Sequence, residues 1–433
     1  MKIRLKGDRV IWLLVMMMAM ISVLAVYSSS TYRANVIGIP KTEIFLEQVK
    51  FAIIGFFFLF LCYLVPLRWY RFLSFIIFGG TVLMLLMTFI PGIQDVKNGA
   101  IRGIKFLGRT IQPSECVKVG LVMYLARALE IWEDSLYTFK DFALKLLLPI
   151  VAVCAIVMVN SFSSAILFGG ISFLILFVMK VDWKYLAVSI AGAVAIVILL
   201  FGIYNAFYAE KYESGAEVGA VGKFFNRFGT AQGRIADFIS ESKDKEISEE
   251  TLSKEEKKII EDENRQSENA KIAISTGGIL GKGPGKSTQR YSLSEAYSDF
   301  IFAFIVEEYG LVGGLIVIML YLIFLFRCIR IAGKCETTFS NTLIIGLAFL
   351  VSIQAFLHIM VNVRLIPITG HTLPLISQGG TAYLVFSGAM GVILSVSKQV
   401  QKQEEAREAA LEELRRENMQ ESMENKSEEE YED

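Results

Sequence analysis

The sequence predicts an all-α, polytopic integral membrane protein with about ten transmembrane helices and one large extracytoplasmic loop. Hydrophobic residues make up 54% of its 433 residues and charged residues 20%. Apolar runs of about 17–25 residues, the length that crosses a bilayer, recur along the chain. The predicted spans are residues 10–27, 46–65, 72–90, 113–130, 142–159, 164–179, 185–208, 299–326, 341–362 and 374–397. Residues 1–398 therefore form one membrane domain, which includes the outer loop 209–298, and residues 399–433 form a charged tail that begins as a helix.

Basic residues in the short loops place both termini in the cytoplasm. With that orientation the following residues all face the cytoplasm: Arg68, Arg71, Lys180, Lys184, Arg327, Arg330, Lys334 and Lys398. The first apolar run follows a basic start, as in a signal peptide, but it is long and lacks a small-residue cleavage site. We interpret it as a retained helix.

The short outer loop between spans three and four breaks this charge rule. It carries Lys97, Arg102, Lys105 and Arg109 on the side where basic residues are disfavoured. The loop is either a tolerated exception or a basic site for an anionic substrate or lipid head group.

The large outer loop contains two distinctive stretches. Residues 241–268 are crowded with Glu and Lys, a pattern typical of a short solvated helix. Residues 277–287 contain a Gly-Lys-Ser sequence, but a phosphate loop would need glycine at Leu280 and a preceding strand. We expect instead a flexible glycine-rich turn whose Lys282 and backbone amides lie just before Asp299 and could hold a phosphate.

Carboxylates in the eighth predicted span need an explanation, because a charge at the centre of a membrane costs about 2.5–3.5 kcal/mol on insertion scales. They are Asp299 at the mouth of the span, followed by Glu307 and Glu308. In span four, Glu115 and Lys118 share a helical face at i, i+3. That pair is either a buried ion pair between helices or part of a functional site.

A polar seam runs down span nine. Gln354, His358 and Asn362 recur every four residues and so lie on one face. The seam predicts either interhelical hydrogen bonds or a wet cavity, and we favour hydrogen bonds. Neither His358 nor His371 has a ligand partner at metal-binding spacing, so metal ligation by histidine is not expected. The cysteines lack CxxC spacing and are interpreted as packing residues: Cys62, Cys116, Cys154, Cys328 and Cys335.

Prolines and glycines interrupt the hydrophobic region at residues 367–381. Irregular backbone at membrane depth is tolerated where protein or a water-filled cavity satisfies its polar groups. We therefore expect an outward-facing cavity lined by this segment, span four and the Asp299 helix.

Four sequence blocks, in this order, resemble the FtsW/RodA family of shape, elongation and division glycosyltransferases, and the division members most closely. The blocks are Gln112-Pro113-Ser114-Glu115 with Lys118, residues 277–283, residues 298–303 with 307–310, and residues 367–380. The resemblance implies an inner-membrane enzyme of bacteria that polymerises the disaccharide of lipid II into peptidoglycan. It also implies an undecaprenyl-linked glycan as donor, a class B penicillin-binding protein and other division proteins as partners, and no nucleic acid.

The resemblance and the chemistry of glycosyl transfer together imply roles for individual residues. Asp299 is the expected general base, and Glu307 and Glu308 are expected to be structural partners of buried polar groups. The expected substrate-binding residues are Arg102, Gln112, Glu115, Lys118, Lys282, Gln289, Arg290, Glu295, Ser377, Gly379 and Gly380. A divalent cation, Mg²⁺ or Mn²⁺, is a candidate cofactor with Glu115 or Asp299 as ligand, and no organic cofactor is expected.

The chain departs from the family pattern at several positions. Tyr297 stands where a histidine is common, Gly103 follows Arg102 where many members have tryptophan, and Gln378 replaces a tyrosine. The turn at residues 160–164 lacks the usual aspartate. These departures leave Asp299, Glu115 and Lys118 untouched.

Two other functions fit the same sequence. A flippase for lipid-linked precursors also needs an apolar groove and basic contacts, but Asp299→Asn should leave transport intact. A non-catalytic division scaffold should tolerate that substitution in cells.

Overall fold

The protein, described here by a computed structural model, is a bundle of long helices. The structure describes residues 6–30, 34, 38, 40–97, 100–106, 109–133, 138–207, 254–293 and 296–432. The helices are α1 (Arg9–Ser29), α2 (Lys41–Leu64), α3 (Leu67–Leu86), α4 (Pro113–Trp132), α5 (Phe139–Asn160), α6 (Phe162–Val178), α7 (Trp183–Phe207), α8 (Lys254–Gly277), α9 (Ile301–Ala332), α10 (Thr338–Asn362) and α11 (Gly380–Glu432). Helix α5 contains one π-helical turn at Ala143–Leu147.

The prediction of a polytopic membrane protein is confirmed. Within the described residues, eight helices are long and apolar enough to cross a membrane, namely α1, α2, α3, α5, α7, α9, α10 and α11. Helix α6 is apolar but has 17 residues, and α4, which carries Lys118, has 20. These ten helices correspond to the ten predicted spans. Several starts differ from the predicted ones by up to six residues: α2 and α3 begin five residues earlier, at Lys41 and Leu67, and α11 begins six residues later, at Gly380.

Local signals in the sequence explain several helix starts. The Asp8 side chain caps α1 by accepting hydrogen bonds from the backbone N–H groups of Val10 and Ile11. Thr337 caps α10 in the same way through Ser340. Pro113 occupies the first turn of α4, where its missing N–H costs nothing.

Helices α10 and α11 form the centre of the bundle. In the apolar window of α11, 78% of the residues are buried inside the protein, against 11% for α7, so α11 is central and α7 peripheral. Helix α10 packs against α4, α6 and α9, and α11 packs along α2. The residues that line α10 therefore hold a fixed position relative to several neighbouring helices.

A small sheet that the sequence did not predict lies between α3 and α4. Its antiparallel strands are β1 (Gln94–Lys97), β2 (Ala100–Phe106) and β3 (Arg109–Ile111), in the order β1-β2-β3. At Gly103 a Cβ atom would lie 2.3 Å from the Ile111 carbonyl oxygen, so this close pairing requires glycine. The sheet reaches α11, because the Thr381 hydroxyl bonds to the Thr110 carbonyl at 3.2 Å.

The two ends of the bundle carry different groups. At one end the N-terminus contacts α9 through an ion pair of Asp8 with Arg327, and Lys334 of the following turn lies 2.7 Å from Glu404. The sheet, the turn before α9 and the segment 363–379 lie at the other end. Helix α11 continues beyond the bundle to Glu432, which agrees with the helix predicted at the start of the tail. Of the helix expected in residues 241–268, residues 254–268 belong to α8 and the rest lies outside the described residues.

Candidate functional site

Asp299 lies in a turn just before α9, at the end of the bundle that carries the sheet. Its backbone carbonyl accepts a hydrogen bond of 3.0 Å from the Asn362 side-chain amide. The Asn362 side-chain oxygen accepts a hydrogen bond of 2.9 Å from the backbone N–H of Ala303. One carboxylate oxygen of Asp299 lies 4.0 Å from the position of a Cβ atom built on Gly370. Asp299 therefore faces the segment between α10 and α11, as the sequence predicted.

That segment is tied to the Asp299 turn by further hydrogen bonds. The Ser377 hydroxyl donates to the Ser298 carbonyl at 2.7 Å, and the backbone N–H of Gln378 donates to the Tyr297 carbonyl at 2.9 Å. Ser377 also accepts a bond from the N–H of Leu373. These bonds satisfy irregular backbone at the end of a membrane bundle, which the prolines and glycines had indicated.

A buried charged cluster lies on the facing helices α4 and α10. The Lys118 ammonium is 2.7 Å from the Glu115 carboxylate and 2.6 Å from the Gln354 amide oxygen, and it lies 5.6 Å from the centre of the Phe386 ring. Glu115 and Lys118 are 8% and 3% exposed. Through the bond from Lys118 to Gln354 the pair connects α4 to α10, at the same end of the bundle as Asp299.

The seam on α10 connects this cluster to Asp299. Gln354 bonds both Lys118 and the Thr372 carbonyl, and the His358 ring nitrogen lies 2.8 Å from the His371 carbonyl. Asn362 completes the seam two turns beyond Gln354, about 12 Å along the axis at 1.5 Å per residue. Interhelical hydrogen bonds are present at Gln354, to Lys118 of α4, and at Asn362, to Ala303 of α9, whereas His358 bonds to the segment between α10 and α11.

Burial, with a smaller contribution from Lys118, determines the charge of His371. Burial, together with the nearby Lys118 charge, lowers the pKa of His371 to about 3. The imidazole is therefore neutral at physiological pH.

Among the residues that the structure describes, no group of three or more His, Cys, Asp or Glu side chains is arranged to hold a metal ion.

The glycine-rich turn packs into a break in α9. At Gly310 the helix has a φ of 70° and a ψ of −170°, and the N–H groups of Leu311 and Val312 donate to the carbonyls of Gly278 and Ile279. A Cβ atom on Gly310 would lie 2.2 Å from the Ile279 oxygen. Backbone from the turn thus replaces the helix's own hydrogen bonds.

The carboxylates at this break have the structural role that the sequence predicted. The Lys282 ammonium lies 2.6 Å from Glu307, which also accepts bonds from Ser287 and Thr288. Glu308 accepts bonds from the backbone N–H of Gly285 at 2.9 Å and from the Ser28 hydroxyl at 2.5 Å. Both carboxylates are fully buried. Ser28 belongs to α1, a contact that sequence spacing could not indicate.

The remaining predicted site residues fall into three groups. Gln112 and the glycines 379 and 380 lie near the Asp299 end of α11, and the backbone N–H of Gln112 donates to the Thr381 hydroxyl at 3.4 Å. In the glycine-rich turn, Gln289 contacts Glu307 through its backbone N–H, and Arg290 donates to the Gly285 carbonyl. The Arg102 side chain and all of Glu295 lie outside the described residues.

Thr381 is a residue of this end that the sequence reasoning missed. Its hydroxyl joins the sheet, the start of α4 and the start of α11. Its position in the sequence could have indicated this role, because Thr381 directly follows the glycine pair of residues 379 and 380. Thr side chains in the first turn of a helix commonly bond to backbone groups.

Comparison with known proteins decides the family. The sequence profile of the FtsW/RodA/SpoVE family, described as cell cycle protein, matches residues 8–402. The chain belongs to the FtsW/RodA/SpoVE family. The match includes every residue of the site described above and leaves residues 403–433 outside, so the predicted resemblance is confirmed.

Relatives with assigned names align with most of the chain. A probable peptidoglycan glycosyltransferase FtsW of Geobacter metallireducens is 29% identical over 394 residues, 90% of this chain and 94% of the relative. The Bacillus subtilis protein of the same name is 30% identical over 380 residues, 86% of each chain.

Solved structures of the FtsW/RodA/SpoVE fold agree with the bundle. The Thermus thermophilus rod shape determining protein RodA aligns with a TM-score of 0.60 and 20% identity, covering 90% of this chain and 97% of RodA. A chain from a structure on the coordination of polymerization and crosslinking by a peptidoglycan synthase complex aligns with a TM-score of 0.64 and 20% identity, covering 91% and 98%. At this identity the likeness establishes the fold.

Proposed function

We propose that this chain is a peptidoglycan glycosyltransferase that polymerises lipid II, with Asp299 as its general base, and that it acts in cell division. The main observation in support is that the polar side chains of α10 contact both Asp299 and the Lys118 cluster, and so hold them at one end of the bundle. The chain also belongs to the FtsW/RodA/SpoVE family. Relatives named peptidoglycan glycosyltransferase FtsW support the activity and favour division over elongation.

The proposed reaction is a single displacement. Asp299 takes the proton from the 4-hydroxyl of the acceptor GlcNAc, and that oxygen forms a bond to the anomeric carbon of the lipid-linked donor. The bond from this carbon to the diphosphate oxygen breaks, and the diphosphate leaves with the electron pair. The anomeric configuration inverts from α to β, and no covalent enzyme intermediate forms.

Lys118 is the proposed electrostatic partner of the leaving diphosphate. An ammonium has three N–H donors, and two partners, Glu115 and Gln354, contact it in the structure. The third donor can meet developing negative charge, and the burial of Lys118 strengthens that interaction. Lys282 is less suited to this role because it is paired with Glu307. Arg102, Gln289, Arg290, Glu295 and the segment from Ser377 to Gly380 stay proposed substrate contacts.

A divalent cation does not fit the described side chains as a resident ion. Glu115, one proposed ligand, is already paired with the Lys118 ammonium, whose charge would repel a cation. Asp299 is the other candidate, and the described residues around it do not form a three-ligand group. We propose that any Mg²⁺ or Mn²⁺ arrives bound to the substrate diphosphate, and the reaction above routes no step through it.

The proposal includes an orientation and a partner. Both termini would lie in the cytoplasm and Asp299 would face outward, because most basic loop residues, such as Arg327 and Lys334, lie at the end opposite Asp299. The basic residues of the sheet are an exception to this rule. A class B penicillin-binding protein would crosslink the product. The likeness to a chain from a peptidoglycan synthase complex supports such a partner.

The test is incubation of the purified protein with labelled lipid II, with and without the penicillin-binding partner. Glycan chains should form, Asp299→Asn should abolish them, and Asp141→Asn, which changes an exposed carboxylate paired with Lys145, should not. Absence of glycan under both conditions would contradict a polymerase. A flippase predicts lipid II transport in vesicles that survives Asp299→Asn, and a scaffold predicts that cells tolerate that substitution.

A further inference from the structure

The turn that carries Asp299 lacks the usual devices that fix a helix start. Residues 296–300 form turns, and Phe300 precedes α9 without a side-chain capping bond. The first N–H groups of a helix have no acceptor within the helix. Without an outside partner, the backbone from Asp299 to Ala303 would have unsatisfied polar groups at a buried position.

Asn362 supplies that partner from another helix. Its Oδ1 accepts from the Ala303 N–H at 2.9 Å, and its Nδ2 donates to the Asp299 carbonyl at 3.0 Å and to the His358 carbonyl at 2.8 Å. The side chain is fully buried. The opposite amide orientation would place NH₂ against an N–H and an oxygen against two carbonyls, so these contacts fix which atom is which.

We propose that Asn362 is a positioning residue for Asp299. This inference rests on the proposed function, in which Asp299 is the base. Asn362 contacts the backbone of Asp299 itself, whereas Ser377 and Gln378 contact its neighbours Ser298 and Tyr297. Asn362 therefore fixes the position of the Asp299 backbone relative to α10.

The contact matters because α10, the helix that carries Asn362, contacts both Asp299 and Lys118. The same face of α10 holds Lys118 through Gln354, two turns away. One rigid helix thus sets the base and the proposed diphosphate contact in a fixed relation. Reacting groups must sit within a fraction of an ångström of the productive geometry, and a shift of about 1 Å can cost about 100-fold in rate.

The experiment compares two variants of Asn362 with one control. Asn362→Leu removes every polar contact at similar size, and Asn362→Ser is smaller, neutral and too short to bridge both partners. Ser352→Ala removes a different buried polar side chain from α10. Glycan formation is measured against lipid II concentration for the full chain with its partner, and folding is checked by gel filtration and thermal unfolding.

Both Asn362 variants should lower kcat about 10- to 100-fold with the apparent KM for lipid II changed less than about 3-fold. Ser352→Ala should leave kcat and the apparent KM for lipid II unchanged. Wild-type kcat in a folded Asn362 variant, or a loss confined to KM, would overturn the inference. If Asn362→Leu is not recovered folded, Asn362→Ser decides. Asp299→Asn is run alongside. If it is inactive and the Asn362 variants are normal, this inference alone fails, and if it is fully active, the proposed function fails too.

Discussion

The Lys282 ammonium lies 2.6 Å from the Glu307 carboxylate, where the glycine-rich turn meets the break in α9. Glu307 is fully buried, while the Lys282 side chain is 24% exposed. The proximity of this turn to Asp299 had suggested that Lys282 binds phosphate. The ion pair instead indicates that Lys282 stabilises the contact between this turn and α9.

Replacing Lys282 should therefore destabilise the protein. Lys282→Met leaves Glu307 with its hydroxyl and backbone donors but no opposite charge. Breaking a fully buried pair costs about 3–5 kcal/mol, and the partial exposure of Lys282 reduces this to about 2–3 kcal/mol. Thermal unfolding in detergent measures the loss. Lys286→Met, at an exposed position of the same turn, is the control and should change stability little. Equal melting temperatures for the two variants would contradict the structural role.

Gly310 should tolerate no side chain. Its φ of 70° and ψ of −170° lie in a region that glycine almost alone adopts, at a cost of about 1–3 kcal/mol for other residues. A Cβ atom would also meet the Ile279 oxygen at 2.2 Å. Gly310→Ala should thus cost more than about 3 kcal/mol and lower the yield of folded protein.

The matched control for Gly310 is Gly79→Ala. Gly79 lies inside α3, and a Cβ atom there would have nothing within 4 Å. Alanine is favoured over glycine in a helix by roughly 0.5–1 kcal/mol, so this variant should be neutral or slightly stabilised. Thermal unfolding of both variants separates a backbone requirement at Gly310 from a general effect of adding methyl groups.

The spans and the α10 seam could be predicted because their signals are local. Apolar length indicates a membrane helix, and Gln354, His358 and Asn362 share a face through the helical period alone. The seam's partners could not be assigned, since the Asp299 and Thr372 carbonyls are backbone groups that any residue carries. Sequence spacing therefore located the seam without revealing that it supports the proposed base.

The β-sheet and the α9 break were missed for related reasons. Strands of 3–7 residues are too short for a periodic signal, and β2 alternates poorly because it includes Arg102 and Gly103. A single glycine inside a helical pattern, such as Gly310, is usually tolerated without a break. The conformation of Gly310 depends on residues 278–283, whose backbone forms hydrogen bonds with α9 on both sides of the break.

Lys118 and Glu115 allow the structural and functional roles of one ion pair to be separated. Lys118→Met leaves the Glu115 carboxylate buried without its charge partner, so it should lower stability by about 3–5 kcal/mol and also abolish glycan formation. Adding Glu115→Gln removes the unpaired charge. The double variant should therefore recover much of the stability, but it should stay inactive because no ammonium meets the diphosphate. Thermal unfolding and the lipid II assay measure the two effects on the same samples. Lys334→Met is the control, because this exposed lysine lies 2.7 Å from Glu404 at the opposite end of the bundle. Recovery of polymerisation in the double variant would mean that Lys118 serves the fold and not the reaction.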